Sequence, residues 1–434
     1  MKTILDIFKE ITAIPRCSGT HNPFISYMQN LSKELNYLCL VDEHNNILCK
    51  KENSKAKLAF QSHYDIVCLT DNCIPQIVQN GDILTAFDST LGSDNGIGCS
   101  YMIALMYENF DGEFLFTSDE EIGLIGANNL NLPLNASYML NLDSEEEGEI
   151  CIGCAGGVDI FGKNENKKII PNDDNLDLYE ITISKLQGGH SGVDIDKNIP
   201  NAIKLIAQTI KECKGKLLDI NAGERINSIP ANAKAIIASS IEPISSHENM
   251  IINKIDTKSE HLNIYDDKIV DFIYDFQNGV RAMNKELNVV QSSINLAIIK
   301  TNIDDIKIEL SARSMDNEDL HKLKNETIKM LEDYNFTVET NGKYPAWKPD
   351  INEFTSKVLE IYKEFNPKAS LEAIHAGLEC AIFKDKYPNI KVASIGPTIN
   401  FPHSKKEQTS INSIENVYKI VKKIAFRLSF FKFF

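Results

Sequence analysis

Several histidine and acidic residues stand at or directly after the ends of short apolar segments, where metal ligands are often found. They are His63 after KLAFQS, Glu120 and Glu121 after EFLFTSD, Asp143 after YMLNL, and His403 in the loop that follows IKVASIG. Imidazole and carboxylate groups together are the ligands that Zn²⁺ and similar divalent ions prefer in proteins. The residue types therefore predict a metal site built from distant parts of the chain.

A glycine-rich turn, TLGSDNGIG, adds Asp94 to this set. Its glycines, Gly92, Gly96 and Gly98, allow the backbone to turn and to approach neighbouring groups closely. Several carboxylates crowded together without a cation would raise one another's pKa values and would tend to be neutralised. Two divalent ions about 3.5–4 Å apart, bridged by one carboxylate, remove that cost and form a two-metal hydrolytic site.

The doublet Glu120–Glu121 is informative because one acid can bind metal while the other stays free as a general base. Asp65 stands two residues after His63, where it can lie behind the ring and fix its tautomer. Each feature alone has a structural explanation, since acidic residues after a strand are usual in solvated loops. Their occurrence together in one chain favours a catalytic metal centre.

The segments that carry these residues have the pattern of buried strands that emerge at one edge of a sheet. Between them, SDNGIGCSYMIALMYENF predicts a helix that begins near Asp94. Ligands in open α/β sheets collect beyond the carboxyl ends of the strands, so residues distant in sequence can meet there. The pattern predicts an α/β domain with a mixed central sheet and helices on both faces.

The middle of the chain has a different pattern. Strand-like segments such as DLYEITISKL and DDIKIELSARS occur with two amphipathic helices, NIPNAIKLIAQTIKEC and EDLHKLKNETIKMLEDY. This combination predicts a smaller α+β open sandwich inserted into the larger unit. We place the first part of the catalytic domain at 1–176, an inserted lid or dimerisation domain at 177–343, and the second part of the catalytic domain at 344–434.

The composition excludes several classes of protein. The 434 residues are 43% hydrophobic and 24% charged, which is ordinary for a globular protein and long enough for two domains. Acidic residues number 61 and basic residues 45, and the net charge of −16 disfavours binding to nucleic acid or to an anionic membrane. The sequence contains no stretch of about 18 apolar residues, so no membrane span is predicted.

The ten cysteines are scattered along a chain whose first apolar segment is interrupted by Asp6, Lys9 and Glu10, unlike a signal peptide. Reduced thiols in the cytoplasm are therefore the expected state. Cys151 and Cys154 form a C-x-x-C pair, which we interpret as a turn of small residues because no second pair stands at zinc-ribbon spacing. The apolar end of the chain, SFFKFF, is interpreted as the last turn of a docked helix.

The motifs, taken in order, resemble the di-zinc exopeptidases of the aminoacylase and carboxypeptidase G superfamily. The shared strings are H-Y-D, GSDNG, DEE-I-G, NLDSEEEG, GGHSG and a final PHS. Further strings, TLGSDNGIG, GCAGG, YPAWKP, IHAGLECAIF and IGPT, are similar to the aminoacyl-histidine dipeptidase branch, also called Xaa-His dipeptidase, peptidase D or cytosol non-specific dipeptidase. The resemblance runs from about Phe8 to His403 and implies the zinc-exopeptidase fold, with the inserted domain as its lid.

The resemblance also implies roles for individual residues. The implied ligand sets are His63, Asp94 and Asp143 for one Zn²⁺, and Asp94, Glu121 and His403 for the other. Glu120 would be the general base and Asp65 the support behind His63. A cis peptide bond is expected between Asp94 and Asn95. The implied cofactors are two Zn²⁺ ions per chain, with Co²⁺ or Mn²⁺ as substitutes.

The inserted domain is expected to contribute to substrate binding. His190 of GGHSG matches the family histidine that stabilises the oxyanion, from a moving lid or from the neighbouring subunit of a homodimer. Arg313 of LSARSM matches the clamp for the substrate carboxylate, with a surface salt bridge as the alternative. Asn227 of RINSIP and His375 of IHAGLE are further predicted substrate contacts, with structural roles as the alternative.

The implied activity is that of a cytoplasmic dipeptidase that takes a small peptide of the Xaa-His type or of broad sequence. Two alternatives stay open: a tripeptidase or N-acyl-amino-acid deacylase that uses the same site, and a catalytically silent binding homologue. Asn95 stands where the wider family commonly has Asp. The dipeptidase branch shares the Asn at this position. The chain is also shorter than typical bacterial members of the branch, which leaves the lid geometry, the oligomeric state and the substrate length open.

Overall fold

The computed structural model describes residues 2–70, 73–171, 176–256 and 260–430. The chain forms two compact units. Unit 1 consists of Met1–Cys154, Trp347–Ala373 and Leu378–Phe434, and unit 2 consists of Ala155–Ala346 and Ile374–Gly377. The predicted docking of the C-terminal end, at 431–434, lies outside the described residues.

The bounds of unit 2 correct the predicted domain division. The prediction assigns Gly156–Asn164 to the catalytic domain, but this strand pairs along its whole length with Ile306–Ser314 of unit 2. The ladder makes it an integral strand of the unit 2 sheet, so the inserted unit begins at Ala155 rather than at 177. It ends at Ala346 rather than at 343, and it also includes the short segment Ile374–Gly377.

The helices in the described part of the chain are distributed over both units. They are α1 (Ile4–Thr12), α2 (Asn22–Glu34), α3 (Ser93–Tyr107), α4 (Ile125–Asn128), α5 (Ala202–Glu212), α6 (Asp267–Asp275), α7 (Asn317–Asp333), α8 (Glu353–Lys363), α9 (Glu379–Lys386) and α10 (Ile411–Phe430). None of these described helices has the length and apolar character that crossing a membrane requires.

The strands of the described residues are numbered in chain order. Those before the inserted unit are β1 (Leu38–Val41), β2 (Ile47–Lys50), β3 (Leu58–His63), β4 (Ile77–Asn80), β5 (Ile83–Ala86), β6 (Glu113–Thr117), β7 (Tyr138–Asn141) and β8 (Glu149–Cys154). Those of the inserted unit are β9 (Gly156–Asn164), β10 (Lys167–Pro171), β11 (Asp177–Ile183), β12 (Gly189–His190), β13 (Lys216–Ala222), β14 (Ser228–Ile229), β15 (Ala233–Ser239), β16 (Met250–Ile255), β17 (His261–Tyr265), β18 (Gly279–Asn284), β19 (Val289–Thr301), β20 (Ile306–Ser314) and β21 (Thr337–Tyr344). Those after it are β22 (Ser370–Ile374), β23 (Lys391–Ser394), β24 (Ile399–Asn400) and β25 (Gln408–Ser410).

The main sheet of unit 1 has eight strands in the order β1-β2-β6-β3-β7-β23-β8-β22. The central strands β6, β3, β7 and β23 are parallel. Strands β1, β2 and β8 pair antiparallel around them. A smaller sheet has the order β24-β25-β5-β4. The predicted mixed α/β class is therefore confirmed.

Both faces of the central strands are buried. On one face, Phe60 and Phe114 belong to a core that includes side chains of α1, α3, α8 and α10. The alternate residues Ala59, Leu115 and Met139 point to the other face and are also fully buried. Helix α9, whose side chains are not part of that core, contacts β23 and β8. This two-sided burial explains why the strands are continuously apolar in sequence.

Unit 2 is built on a nine-stranded antiparallel sheet. Its order is β16-β11-β15-β13-β19-β20-β9-β21, and β18 pairs with β19 beside this path. Side chains of α5, α6 and α7, among them Ile206, Phe272 and Leu323, form one core with the strands. The predicted sandwich contains two helices, and the structure adds α6 as a third within the described residues.

The prediction that the cysteines are reduced is wrong for one pair, because Cys17 and Cys68 form a disulfide. Cys17 lies opposite Ile66 in an isolated parallel bridge, and the amide of Ile66 donates to the carbonyl of Arg16 at 3.0 Å. This pairing brings the two cysteine Cα atoms to 5.6 Å, within the range that a disulfide spans. The cysteines are 51 positions apart, so their contact is a product of the fold.

Candidate metal centre

The parallel strands of unit 1 bring the predicted metal residues to one edge of the sheet. His63 is the last residue of β3, Glu120 and Glu121 follow β6, and Asp143 follows β7. Because β3 pairs in parallel with both β6 and β7, the carboxyl ends of the three strands lie side by side. The structure thus groups these residues where ligands of α/β sheets usually collect.

Asp94 lies between the two histidines of the site. Its Oδ1 is 3.2 Å from Nε2 of His63, and its Oδ2 is 3.0 Å from Nε2 of His403. Oδ1 of Asp143 is 3.2 Å from the same nitrogen of His63. Oε2 of Glu121 is 2.9 Å from Nε2 of His403. Asp94 therefore presents one oxygen to each of two groups, as a carboxylate that bridges two cations does.

Three sets of side chains have their nitrogen or oxygen atoms within 4.8 Å of one another. They are His63, Asp94 and Asp143; Asp94, Glu121 and His403; and His63, Glu120 and Glu121. The first two coincide with the ligand sets that the family resemblance implies. Glu120 belongs only to the third set, beside His63 and Glu121, which is a suitable place for a base that does not bind metal.

The electrostatics of the site favour a bound cation. Burial and the nearby charge of Asp94 raise the pKa of Glu121 to about 7, although a hydrogen bond with His403 opposes the shift. Burial also raises the pKa of Asp94, but hydrogen bonds with His403 and His63 outweigh it and lower the pKa below its usual range. Oε1 of Glu121 is buried without a hydrogen-bond partner among the described residues. A divalent ion would satisfy this oxygen and offset the repulsion, so the side chains fit a metal.

Asp65 is fully buried behind His63. Its carboxylate accepts hydrogen bonds from Oγ of Ser18 at 2.8 Å and from the amides of Glu120 and Glu121 at 3.0 and 3.3 Å. Nδ1 of His63 is 3.0 Å from the backbone carbonyl of Asp65 and 3.6 Å from its carboxylate. The carbonyl is thus the closer acceptor for the Nδ1 proton, and Nε2 of the same ring faces Asp94 and Asp143. The carboxylate chiefly orients the Glu120–Glu121 turn.

The glycine-rich turn places Asp94 at the beginning of α3. Gly92 has a φ of 67°, a conformation that glycine adopts without strain. The peptide bond between Asp94 and Asn95 is cis, as the resemblance predicts. A Cβ atom on Gly98 would lie 2.0 Å from Oδ1 of Asn95 and 2.5 Å from Oγ of Ser62. Gly98 is therefore required for the close packing of this turn.

Glu407, which the sequence pattern does not single out, organises the same turn. Its side chain is buried, and its carboxylate accepts hydrogen bonds from the amides of Leu91 and Ser93 at 2.9 and 2.8 Å and from Oγ of Ser93 at 2.6 Å. These bonds hold the segment that leads into Asp94. The one signal in the sequence is its place shortly after His403, in HSKKE, a segment that is otherwise typical of a solvated loop.

In unit 2, His190 ends the short strand β12, which pairs with β14. Its Nδ1 accepts hydrogen bonds from the amides of Gly192 and Val193 at 3.3 and 3.1 Å. In a neutral imidazole the proton then resides on Nε2, which makes this nitrogen a donor. A histidine that stabilises an oxyanion needs this tautomer.

Arg313 is 7% exposed, which excludes the alternative of a surface salt bridge. Its Nη1 donates to the hydroxyl of Tyr344 at 2.7 Å, and its buried Nε has no hydrogen-bond partner among the described residues. A buried guanidinium with an unused donor is costly unless an anion binds it. The environment of Arg313 therefore suits the binding of a carboxylate.

His375 lies in unit 2 and is 5% exposed, with Nε2 at 2.7 Å from Oγ of Ser293. Ser293 is the register partner of Arg313 in the β19–β20 ladder. Burial lowers the pKa of His375 to about 3, and the positive charge of Arg313 lowers it as well. The ring is thus neutral and adjoins the same region as Arg313.

Asn227 is exposed and directly precedes β14. Its backbone carbonyl accepts a hydrogen bond from the amide of Ser191 at 2.8 Å, so it lies beside the two-stranded β12–β14 sheet that carries His190. The structure places this residue beside another predicted substrate residue, and its side chain faces solvent.

Comparison with known proteins adds an independent finding. No family model matches the chain. The chain is 30% identical over 472 residues to the cytosol non-specific dipeptidase of Escherichia coli K12, with 96% of this chain and 95% of that protein covered. It is similar to the solved aminoacylhistidine dipeptidase from Vibrio alginolyticus, with a TM-score of 0.81 and 27% identity over 98% of this chain and 95% of that one. A tripeptidase from Staphylococcus aureus shares the fold, with a TM-score of 0.58 and 17% identity over 97% of this chain and 98% of that one.

Proposed function

Since the chain belongs to the family of aminoacyl-histidine dipeptidases, which includes the cytosol non-specific dipeptidases, we propose that it hydrolyses the peptide bond of dipeptides in a metal-dependent reaction. The observation that carries this proposal is Asp94, whose two carboxylate oxygens face His63 and His403, with the acid Glu120 close by. The substrate is a small peptide, of the Xaa-His type or of broad sequence.

The proposed cofactors are two Zn²⁺ ions per chain, with Co²⁺ or Mn²⁺ as substitutes. The residues that would hold them are His63, Asp94 and Asp143 on one side, and Asp94, Glu121 and His403 on the other. When bound, such a pair of ions lowers the pKa of water toward about 7 and polarises a substrate carbonyl. Two observations support this assignment. Oε1 of Glu121 is buried without a hydrogen-bond partner among the described residues, and the side chains offer both imidazole and carboxylate donors.

Glu120 is the proposed general base. Burial raises its pKa well above the usual value; the charges of Glu121 and Asp143 add to the shift, and that of His63 opposes it. A carboxylate with this higher proton affinity can take a proton from the attacking water and pass it to the leaving amine. Asp65 holds the amide of Glu120 and thereby orients the base.

The residues of unit 2 have proposed roles in substrate binding. Nε2 of His190 would donate to the oxyanion, and the guanidinium of Arg313 would bind the free carboxylate of the peptide. Asn227 and His375 are proposed as further contacts. We also propose a cytoplasmic location. We further propose that the chain forms a homodimer, which light scattering on the purified chain would test.

A substrate panel tests the proposed activity. The purified chain is incubated with Xaa-His dipeptides, other dipeptides, tripeptides and N-acyl amino acids, before and after treatment with a chelator. We expect hydrolysis of the dipeptides, its loss on chelation and its return with Zn²⁺, Co²⁺ or Mn²⁺. Activity confined to tripeptides or to acyl amino acids would replace the dipeptidase assignment, and no activity with fully metal-loaded protein would favour a silent binding homologue.

Glu120→Gln tests the proposed base. Because the amide cannot accept the proton, kcat should fall by about 10²- to 10⁴-fold while the metal content stays unchanged. Glu415→Gln, which alters an exposed acid of α10, is the matched control and should leave kcat unchanged. An active Glu120→Gln enzyme would remove this residue from the role of base.

A further inference from the structure

Three cysteines of unit 1 form a cluster that the proposed reaction does not use. Sulfur atoms of Cys17, Cys68 and Cys73 all lie within 4.8 Å of one another. Cys17 and Cys68 form the disulfide, and the sulfur of Cys73 is outside it. All three residues are half-buried.

This spacing suits a thiolate metal site. A tetrahedral ion with metal–sulfur bonds of about 2.3 Å separates its sulfur ligands by about 3.8 Å. The three sulfurs lie within 4.8 Å of one another, so reduction of the bonded pair needs only a small separation of Cys17 and Cys68 to reach this distance. Thiolates select soft ions such as Cd²⁺, Cu⁺ and Zn²⁺, whereas the centre around Asp94 has only nitrogen and oxygen donors.

The segment of Cys17 is also held beside that of Cys68 by backbone hydrogen bonds. The amide of Ile66 donates to the carbonyl of Arg16 at 3.0 Å, and the amide of Ser18 donates to the carbonyl of Ile66 at 3.3 Å. These two backbone hydrogen bonds flank Cys17 and hold its segment beside the one that leads to Cys68. Reduction of the bond would therefore leave two thiols already close together, with Cys73 as the third.

The other cysteines make a useful contrast. Cys39 and Cys49 face each other across the β1–β2 ladder as a pair only. Cys151 and Cys154 are buried. Among the described residues, the cluster of Cys17, Cys68 and Cys73 is the one group of three cysteines with this spacing.

We propose that Cys17, Cys68 and Cys73 form a second metal site of this chain, which binds one soft cation when the Cys17–Cys68 disulfide is reduced. A dithiol reductant transfers two electrons and two protons to the disulfide and is itself oxidised to a disulfide. The three thiols then release three protons as their thiolates bind the cation. In the oxidised chain only the thiol of Cys73 is left, so binding and disulfide formation exclude each other.

Titration with Cd²⁺ tests this site without reference to peptidase activity. The full-length chain is reduced with a dithiol, freed of it under nitrogen and titrated while sulfur-to-cadmium charge-transfer absorption is recorded. The centre around Asp94 contains no sulfur ligand, so it contributes nothing to this band. We expect the oxidised protein to show only the absorption of its remaining thiols, and the reduced protein to gain a further band that saturates at one additional Cd²⁺ per chain.

Cys73→Ser is the decisive variant, because it leaves both cysteines of the disulfide in place. It should lose the saturating band, while Cys39→Ser, the matched control at another half-buried cysteine, should keep it. Circular dichroism checks that each variant is folded. A reduced wild-type chain without the band, or a Cys73→Ser chain with the full band, would overturn the proposal.

Alkylation provides a second measurement. Bound Cd²⁺ should protect Cys17, Cys68 and Cys73 together from iodoacetamide, as read by mass spectrometry of the digested wild-type chain. Protection of only two of them, or equal labelling with and without Cd²⁺, would contradict a three-thiolate site.

Discussion

Glu120 and Glu121 are neighbours of the same type whose surroundings differ. Oε2 of Glu121 faces His403, in the set that also contains Asp94. Glu120 lies outside that set, and its carboxylate is desolvated beside other negative charges. Because both amides are bound by Asp65, the turn is fixed and the two side chains diverge from a single anchor. Environment rather than residue type thus separates a proposed ligand from a proposed base.

Replacement of Arg313 should weaken substrate binding. Loss of a charge-assisted hydrogen bond to the peptide carboxylate costs about 1.5–3 kcal/mol, so Arg313→Ala should raise KM by about 10- to 100-fold with a smaller change in kcat. For dipeptide amides, which lack the carboxylate, KM should differ little between the wild type and the variant. Arg281→Ala, at an exposed arginine of β18, is the matched control. An equal rise in KM for dipeptides and for dipeptide amides would indicate a structural role of Arg313 instead.

His375 should make stability depend on pH. Its pKa is about 3 in the folded chain, against an ordinary value of 6.5, so the unfolded chain binds the proton first as the pH falls. The stabilising contribution is therefore complete above about pH 6.5 and is lost progressively toward about pH 3. Relative to His375→Gln, the wild type should lose about 2–3 kcal/mol of unfolding free energy between about pH 6.5 and pH 4.

Urea denaturation at a series of pH values measures this difference. The same substitution at the exposed His261 is the matched control. Parallel profiles for the wild type and His375→Gln would show that the pKa of His375 is the same in the folded and the unfolded chain.

At the scale of elements, the carboxyl ends of the parallel strands are locked by buried polar groups. Nδ2 of Asn141 donates to Oε1 of Gln61 at 2.6 Å, which joins β7 to β3. Nε2 of Gln61 and Oγ1 of Thr117 both donate to the carboxylate of Glu379, at 2.5 and 2.7 Å. These bonds fix the strand ends just before His63 and the Glu120–Glu121 turn. The positions of these proposed site residues are therefore set by the sheet.

The segment before α3 should depend on Glu407. In Glu407→Gln, the amide can replace only one of the two acceptor oxygens that hold the amides of Leu91 and Ser93. A buried amide left without an acceptor costs about 1–3 kcal/mol, so the melting temperature should fall. Displacement of Asp94 should also weaken metal retention by about 10- to 100-fold, the usual effect of losing a partner behind the ligands.

Dialysis against graded chelator, followed by metal analysis, measures the retention. The exposed Glu415→Gln again serves as the control. Unchanged retention in Glu407→Gln would show that Asp94 is held by the remaining contacts of the turn.

At the scale of the whole molecule, the proposed ligands all belong to unit 1, although three separate stretches of sequence build that unit. His403 comes from the last stretch, whereas His63 and Asp94 come from the first. A metal that joins them therefore cross-links the unit across the inserted sequence. Metal binding should stabilise unit 1 more than unit 2, since any ligand specific to the folded state adds to its stability.

Chelation should accordingly lower the melting temperature. Metal at about 100 times its Kd contributes about 2.7 kcal/mol, which corresponds to about 5–10 °C for a domain of about 150–250 residues. Hydrogen exchange should increase around residues 91–98 and 401–407 of unit 1, with little change in β11 and β15 of unit 2. Equal effects in both units, or no change in melting temperature, would contradict a metal-linked unit 1.

Sequence patterns were sufficient to predict the mixed α/β class, because strands buried on both faces must be continuously apolar and this leaves a local signature. They also predicted His63, Glu120, Glu121 and Asp143, since polar residues at strand ends are visible without knowledge of the strand order. His403 followed from its place after a strand, Asp94 from the glycine-rich turn, and Asp65 from its spacing to His63. The bridging role of Asp94, the division of the ligands into two sets, and the substrate residues depended on the family resemblance.

Tertiary structure alone decided the contacts between distant residues that lack a periodic pattern. Glu407 resembles a loop acid in sequence, and only the folded chain brings it to the amides before Asp94. The pairing of Cys17 with Cys68 and the membership of β9 in unit 2 likewise follow from strand pairing, not from composition. Local sequence determines which face of an element is apolar, whereas the partner of a buried polar group is set by the path of the whole chain.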